Sequence, residues 1–85
     1  MNLFMETRPF EAGLTDDQLA EKYDWNIYKR INYSKRNIKI LLKQAKKLLE
    51  TGKYSQIHIC GWEDENDDPS FQEFHYKDGS KFKMF

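Results

Sequence analysis

Eighty-five residues with a single cysteine, Cys60, make one domain over 1–85 and exclude an internal disulfide, so a reducing cytoplasm is the expected setting. Six Phe, five Tyr and two Trp supply large apolar groups enough for a folded core and argue against a disordered charged tail. Charge cancels overall but separates along the chain: residues 29–53 carry nine bases against Glu50, a net of +8, and residues 54–78 carry seven acids against Lys77, a net of −6.

Residues 2 to 6 suit an edge strand that Pro9 would end. Thr15 and Gln18 then form the pattern of a capping box, Leu14 and Leu19 the pattern of a hydrophobic staple, and Asp16 and Asp17 favour the positive end of a helix dipole. A first helix is expected from Asp16 to about Asp24, with Leu19, Ala20 and Tyr23 inward. From Trp25 to Tyr33 the spacing of Trp25, Ile27, Tyr28 and Ile31 predicts a continued or second short helix.

The clearest element follows. Ser34 is placed as an N-cap and Gly52 as a left-handed C-cap. Between them Ile38, Leu41, Leu42, Ala45, Leu48 and Leu49 form one apolar stripe, with Lys39, Lys43, Lys47, Arg36 and Lys46 opposite. About 17 residues at ~1.5 Å per residue give a rod of roughly 25 Å.

Beyond Gly52 the apolar period shortens to two. Tyr54 to Trp62 is a predicted strand, with Ile57 and Ile59 on one face and His58, Cys60 and Trp62 on the other. An acidic loop, 63–69, leads to a hairpin of Phe71 to Tyr76 and Lys81 to Phe85. A three-residue loop with Gly79 left-handed sets Phe74 against Phe82 and Glu73 against Lys83, and gathers Phe74, Tyr76, Phe82 and Met84 on one face. The outer face would then show His58, Trp62, Glu73, His75, Lys81 and Lys83. The expected fold is α+β: two to three helices on one face of an antiparallel sheet of three strands, or four if residues 2–6 join.

The basic helix is the leading functional signal. Lys and Arg spaced three and four apart form a positive stripe able to follow phosphates and release their counterions. Arg36, Lys39, Lys43, Lys46, Lys47 and Lys35 are the candidate contacts, Lys29 and Arg30 are placed to extend the stripe, and Tyr28 or Tyr33 offers a stacking ring for an unpaired base. The expected partner is RNA or a ribonucleoprotein. The bland alternative is a solvated lysine-rich face, and one acid among nine bases is less balanced than solubility requires.

The acidic loop supports a second class of function, a protein-binding inhibitor or adaptor. Trp62, Asp64, Glu65, Asp67 and Asp68 would dock on a basic surface of a host protein. The loop could instead lie against the basic helix and cancel its field. His58, Cys60 and His75 are a partial zinc set, and Cys60 with His75 a conceivable nucleophile and base. No fourth ligand, phosphate loop or triad accompanies them, so no metal, cofactor or enzymatic activity is expected. No apolar run approaches the ~20 residues that span a bilayer. The opening residues lack a charged leader followed by an apolar run, which predicts neither a membrane segment nor a secretory signal.

Two resemblances bear on this. The run Leu14-Thr15-Asp16-Asp17-Gln18-Leu19-Ala20-Glu21-Lys22-Tyr23 resembles the opening of a helix-turn-helix, which implies a second helix reading DNA, although Asp24 stands where that family has Gly. In general character the chain is similar to short accessory proteins of large tailed phages: one compact Lys- and aromatic-rich domain without an enzyme signature. That likeness implies antagonism of a host nuclease, toxin or polymerase.

Overall fold

The computed structural model describes residues 1–65 and 67–84; Asn66 of the acidic loop and Phe85 of the last predicted strand lie outside the described residues. Seven elements follow in the order β1 (Asn2–Pro9), α1 (Asp16–Lys22), β2 (Asn26–Asn32), α2 (Lys35–Glu50), β3 (Tyr54–Gly61), β4 (Phe71–Tyr76) and β5 (Lys81–Lys83). The strands form one antiparallel sheet in the order β2-β1-β3-β4-β5. The fold is therefore α+β as expected, with five strands rather than three or four.

Both helices begin as the sequence directs. The Thr15 hydroxyl accepts from the Gln18 amide at 3.2 Å, and the Gln18 side chain accepts from the Thr15 amide at 2.9 Å, closing the capping box of α1. Ser34 accepts from the Asn37 amide at 3.0 Å at the start of α2. After Thr51, Gly52 takes a φ of 79°, a conformation that costs a side chain dearly and that lets the chain turn back into β3.

Alternation sorts the sheet into two faces. Leu3, Met5 and Thr7 of β1 pair beside Gly61, Ile59 and Ile57 of β3, and these side chains lie under α2. Leu3, Met5, Leu41, Ala45, Ile57 and Ile59 are fully buried there, with Ile38, Leu42, Leu48 and Leu49 packed around them. Burying one such side chain contributes roughly 1.5–3 kcal/mol, so this layer carries most of the stability.

The other face is built differently. Arg8 is buried, donating from Nε to the Tyr23 carbonyl at 3.0 Å and from Nη1 to Gln56 Oε1 at 2.5 Å, with its guanidinium 4.0 Å from the Trp25 ring centre. Gln56 Nε2 reaches the Asp16 carbonyl at 3.4 Å. Arg8 and Gln56 sit out of phase with Ile57, so α1 rests on a corner of the face opposite α2. The expectation that the helices share one face is corrected here. Buried Leu19 belongs to that corner and lies outside the main core.

Three further expectations change. Residues 26–32 are a strand, because β2 completes the edge of β1 and the ladder satisfies more backbone groups than a short isolated helix would. That strand also removes the second helix that the helix-turn-helix resemblance required. The segment 2–9 forms the inner strand between β2 and β3 rather than an edge.

The hairpin register stands as predicted, with Phe74 opposite Phe82, Glu73 opposite Lys83, and Gly79 at φ 91°. Its inward and outward faces are exchanged. Pairing His58 with Phe74 sets Phe74 on the open face, where the two rings stack at 4.4 Å and 8°. Phe71, Glu73 and His75 turn instead toward the α2 side.

Candidate nucleic-acid interface

The stripe that buries α2 also fixes what it exposes. With Ile38, Leu41, Ala45 and Leu49 inward, a 3.6-residue period turns Arg36, Lys39, Lys43 and Lys47 to the outside, and Lys35 and Lys46 flank them. All six are exposed. Successive turns carry these charges about 6 Å apart along the axis. None of the six is ion-paired with a described residue; the pairs within 4 Å are Lys22–Glu11, His58–Glu6 and His75–Glu73. Between the lysine stems a shallow open depression is floored by Ile40, itself 44% exposed.

The flanking cations divide. Lys29 Nζ donates to Gln44 Oε1 at 3.2 Å and so joins the side of α2. Arg30 leaves for the opposite sheet face, where its guanidinium stands 5.1 Å from the Phe4 ring centre. Tyr28 is exposed, with its ring edge-on to Tyr54 at 6.5 Å. Tyr33 is removed from any stacking role. Its ring packs against Gly61, where an added Cβ would meet it at 2.8 Å, and burial raises the pKa of its hydroxyl, with Glu63 adding to the effect.

The acidic loop lies at the end of the sheet where α2 begins. The Trp62 amide donates to the Asn2 carbonyl at 3.0 Å and the Tyr33 amide to the Met1 carbonyl at 2.7 Å, drawing these segments together. Glu63, Asp64, Glu65, Asp67 and Asp68 are exposed. Among the described residues no α2 cation lies within ion-pair distance of these acids. Trp62 is half-buried, edge-on to Phe4 at 6.0 Å, and its Nε1 donates to the Asp67 carbonyl at 3.4 Å, so the ring serves the loop as much as it faces outward.

Opposite the acidic loop, toward the end of α2, lies a cleft of about 330 Å³. Leu42, Lys46, Leu49 and Glu50 form its helix wall, and His75, Tyr76, Lys77, Gly79 and Ser80 its hairpin wall. Glu73, 4% exposed, and His75 lie side by side on the α2 face of β4. Their Oε1 and Nε2 atoms approach to 3.3 Å without hydrogen-bond geometry, and neither has another partner. Burial lowers the pKa of His75; Glu73 opposes that shift and Lys81 adds to it. Sequence reasoning placed this pair on the outside. The available signal was Glu and His alternating on one face of a strand whose other face is aromatic.

The predicted convergence of His58, Cys60 and His75 fails on parity. His58 and Cys60 share the open face, whereas His75 pairs with Ile57 and faces α2. His58 is held in place by Glu6, at 2.9 Å from Nδ1, and by Gln72, at 2.9 Å from Nε2. Cys60 is buried and its thiol is pushed up to about 11, chiefly by desolvation and also by Glu6, the reverse of an activated nucleophile. Among the described residues no three His, Cys, Asp or Glu side chains converge in a metal-holding group, and no helix is long and apolar enough to cross a membrane. The chain matches no protein-family model, no curated protein and no solved structure.

Proposed function

We propose that this domain is a non-enzymatic binder of single-stranded nucleic acid, RNA in preference to DNA, which it grips through the exposed face of α2. The observation that carries this reading is the ridge of six exposed cations, Lys35, Arg36, Lys39, Lys43, Lys46 and Lys47, none of them ion-paired with a described residue. A charge array of this kind attracts a polyanion and gains free energy by releasing its counterions. RNA is favoured because Tyr28, next in sequence to Lys29, is exposed, and an aromatic ring suits an unpaired base.

In the setting implied by the likeness to phage accessory proteins, such a domain blocks a host RNA-targeting toxin or nuclease as part of a ribonucleoprotein in the cytoplasm. Binding of nuclease-treated protein to a short single-stranded RNA across a salt series tests the reading. Affinity should fall steeply with rising salt, and Lys39→Glu with Lys43→Glu should flatten that slope by about two, one for each lost phosphate contact. An unchanged slope removes the proposal.

A second reading rests on a different observation, the group of exposed acids Asp64, Glu65, Asp67 and Asp68 beside Trp62 at the far end of the sheet. These would dock on a basic groove of a host protein. Neutralising the four acids should then abolish capture of that protein while leaving RNA binding intact.

A further inference from the structure

The cleft between the end of α2 and the β4–β5 hairpin continues the basic ridge. Leu42 and Lys46 line both the shallow depression on the helix and the cleft itself. A strand whose phosphates follow Arg36, Lys39 and Lys43 therefore reaches the cleft mouth at Lys46. Lys77, the other cation there, already has its ammonium 4.6 Å from the Phe10 ring centre, which leaves Lys46 as the phosphate-facing charge.

The interior suits a planar heteroaromatic group. Leu42 and Leu49 give one apolar wall, His75 puts its ring on the other, and about 330 Å³ exceeds the space a nucleobase fills. Polar recognition is available at His75 and at the rim carboxylate of Glu50. Behind His75, its buried Nε2 faces the buried Glu73 Oε1 at 3.3 Å.

From this continuity of charge and shape, we infer that the cleft is a nucleotide pocket: it receives one unpaired base of the RNA held on α2, with Leu42 and Leu49 against one face of the base and His75 reading its edge. The inference rests on the proposed RNA-binding function and names what the ridge alone cannot supply, a contact that distinguishes nucleic acid from any other polyanion. Stacking and edge contacts of this kind contribute about tenfold or more in affinity per base.

The experiment compares a short single-stranded RNA with inorganic polyphosphate of matched charge, on the full chain at one salt concentration. RNA is expected to bind about tenfold tighter than polyphosphate. Ser80→Trp fills the hairpin side of the cleft; its backbone turn is kept by the bonds from the Tyr76 amide to the Ser80 carbonyl and from the Gly79 amide to the Tyr76 carbonyl, both 3.0 Å. That variant, and His75→Gln separately, should bring RNA down toward the polyphosphate level and leave polyphosphate binding unchanged. Equal affinities for the two ligands, or RNA binding that neither variant weakens, overturns the pocket while the ridge stands. Binding of both ligands that ignores Lys39→Glu with Lys43→Glu, or no binding of either, overturns the RNA reading beneath it.

Discussion

The two faces of the sheet solve the same problem with different chemistry. Under α2, β1 and β3 contribute Leu3, Met5, Ile57 and Ile59, all fully buried, with Thr7, Ser55 and Glu73 as the buried polar residues beside them. On the open face the same strands contribute Glu6, Arg8, Gln56 and His58, held by hydrogen bonds, by the stack of His58 on Phe74, and by Arg8 over Trp25. One face derives its strength from removing surface from water. The other derives it from geometry that each member must satisfy. A helix of seven residues suffices on the open face because it closes only one corner.

The sharpest test of this contrast is Ile59→Ala against Phe74→Ala. Ile59 is fully buried, and its truncation should cost about 3–4 kcal/mol in urea unfolding, whereas half-buried Phe74 should cost less than half of that. Equal losses would erase the distinction between the faces. Next in size, Arg8→Ala removes the guanidinium that joins α1 to the sheet and should cost about 2 kcal/mol, with the loss visible as faster amide exchange in α1 before α2.

The two helix caps offer a matched pair. Thr15→Ala and Ser34→Ala each delete one N-cap bond worth about 1 kcal/mol, yet only Ser34→Ala should loosen the main core, because α2 and not α1 covers it. The last effect is a slope, confined to alkaline pH. Cys60 keeps its proton up to about 11 in the folded state, whereas an unfolded thiol releases it at ~8.5. Between those values the native state binds more protons, so stability should fall as pH rises through that window. Cys60→Ala should flatten the alkaline limb, measured by urea midpoints from pH 8 to 11, and an unaltered limb would place the thiol in contact with water.

Local chemistry was legible where the chain interacts with itself over a few residues. The capping box at Thr15, the Ser34 cap, Gly52 and the three-residue hairpin loop with Gly79 each follow from contacts within one turn. Pairing between distant segments was not. Trp25, Ile27, Tyr28 and Ile31 satisfy a helical period by accident of a bulge, since the register of β2 on β1 shifts between Met5 and Glu6 and breaks the alternation that would have marked a strand. The facing of β4 failed for a related reason. Phe74 and Tyr76 outweigh Glu73 and His75 in apolarity, but the partner strand decides the parity, and β3 brings His58 beside Phe74. The basic ridge was readable because a helix carries its own period; the cleft was not, because it joins α2 to a hairpin more than twenty residues downstream.

The interior place of β1, between β2 and β3, has a consequence for how the protein is made. Leu3 pairs with Ile31 on one side and with Gly61 on the other, so β1 has half of its ladder unfilled until β3 has been synthesised. Such long-range closure slows folding, and it leaves an apolar strand edge uncovered throughout synthesis. A nascent chain halted before Tyr54 should thus remain protease-sensitive, and one extended past Gly61 should acquire resistance in a single step.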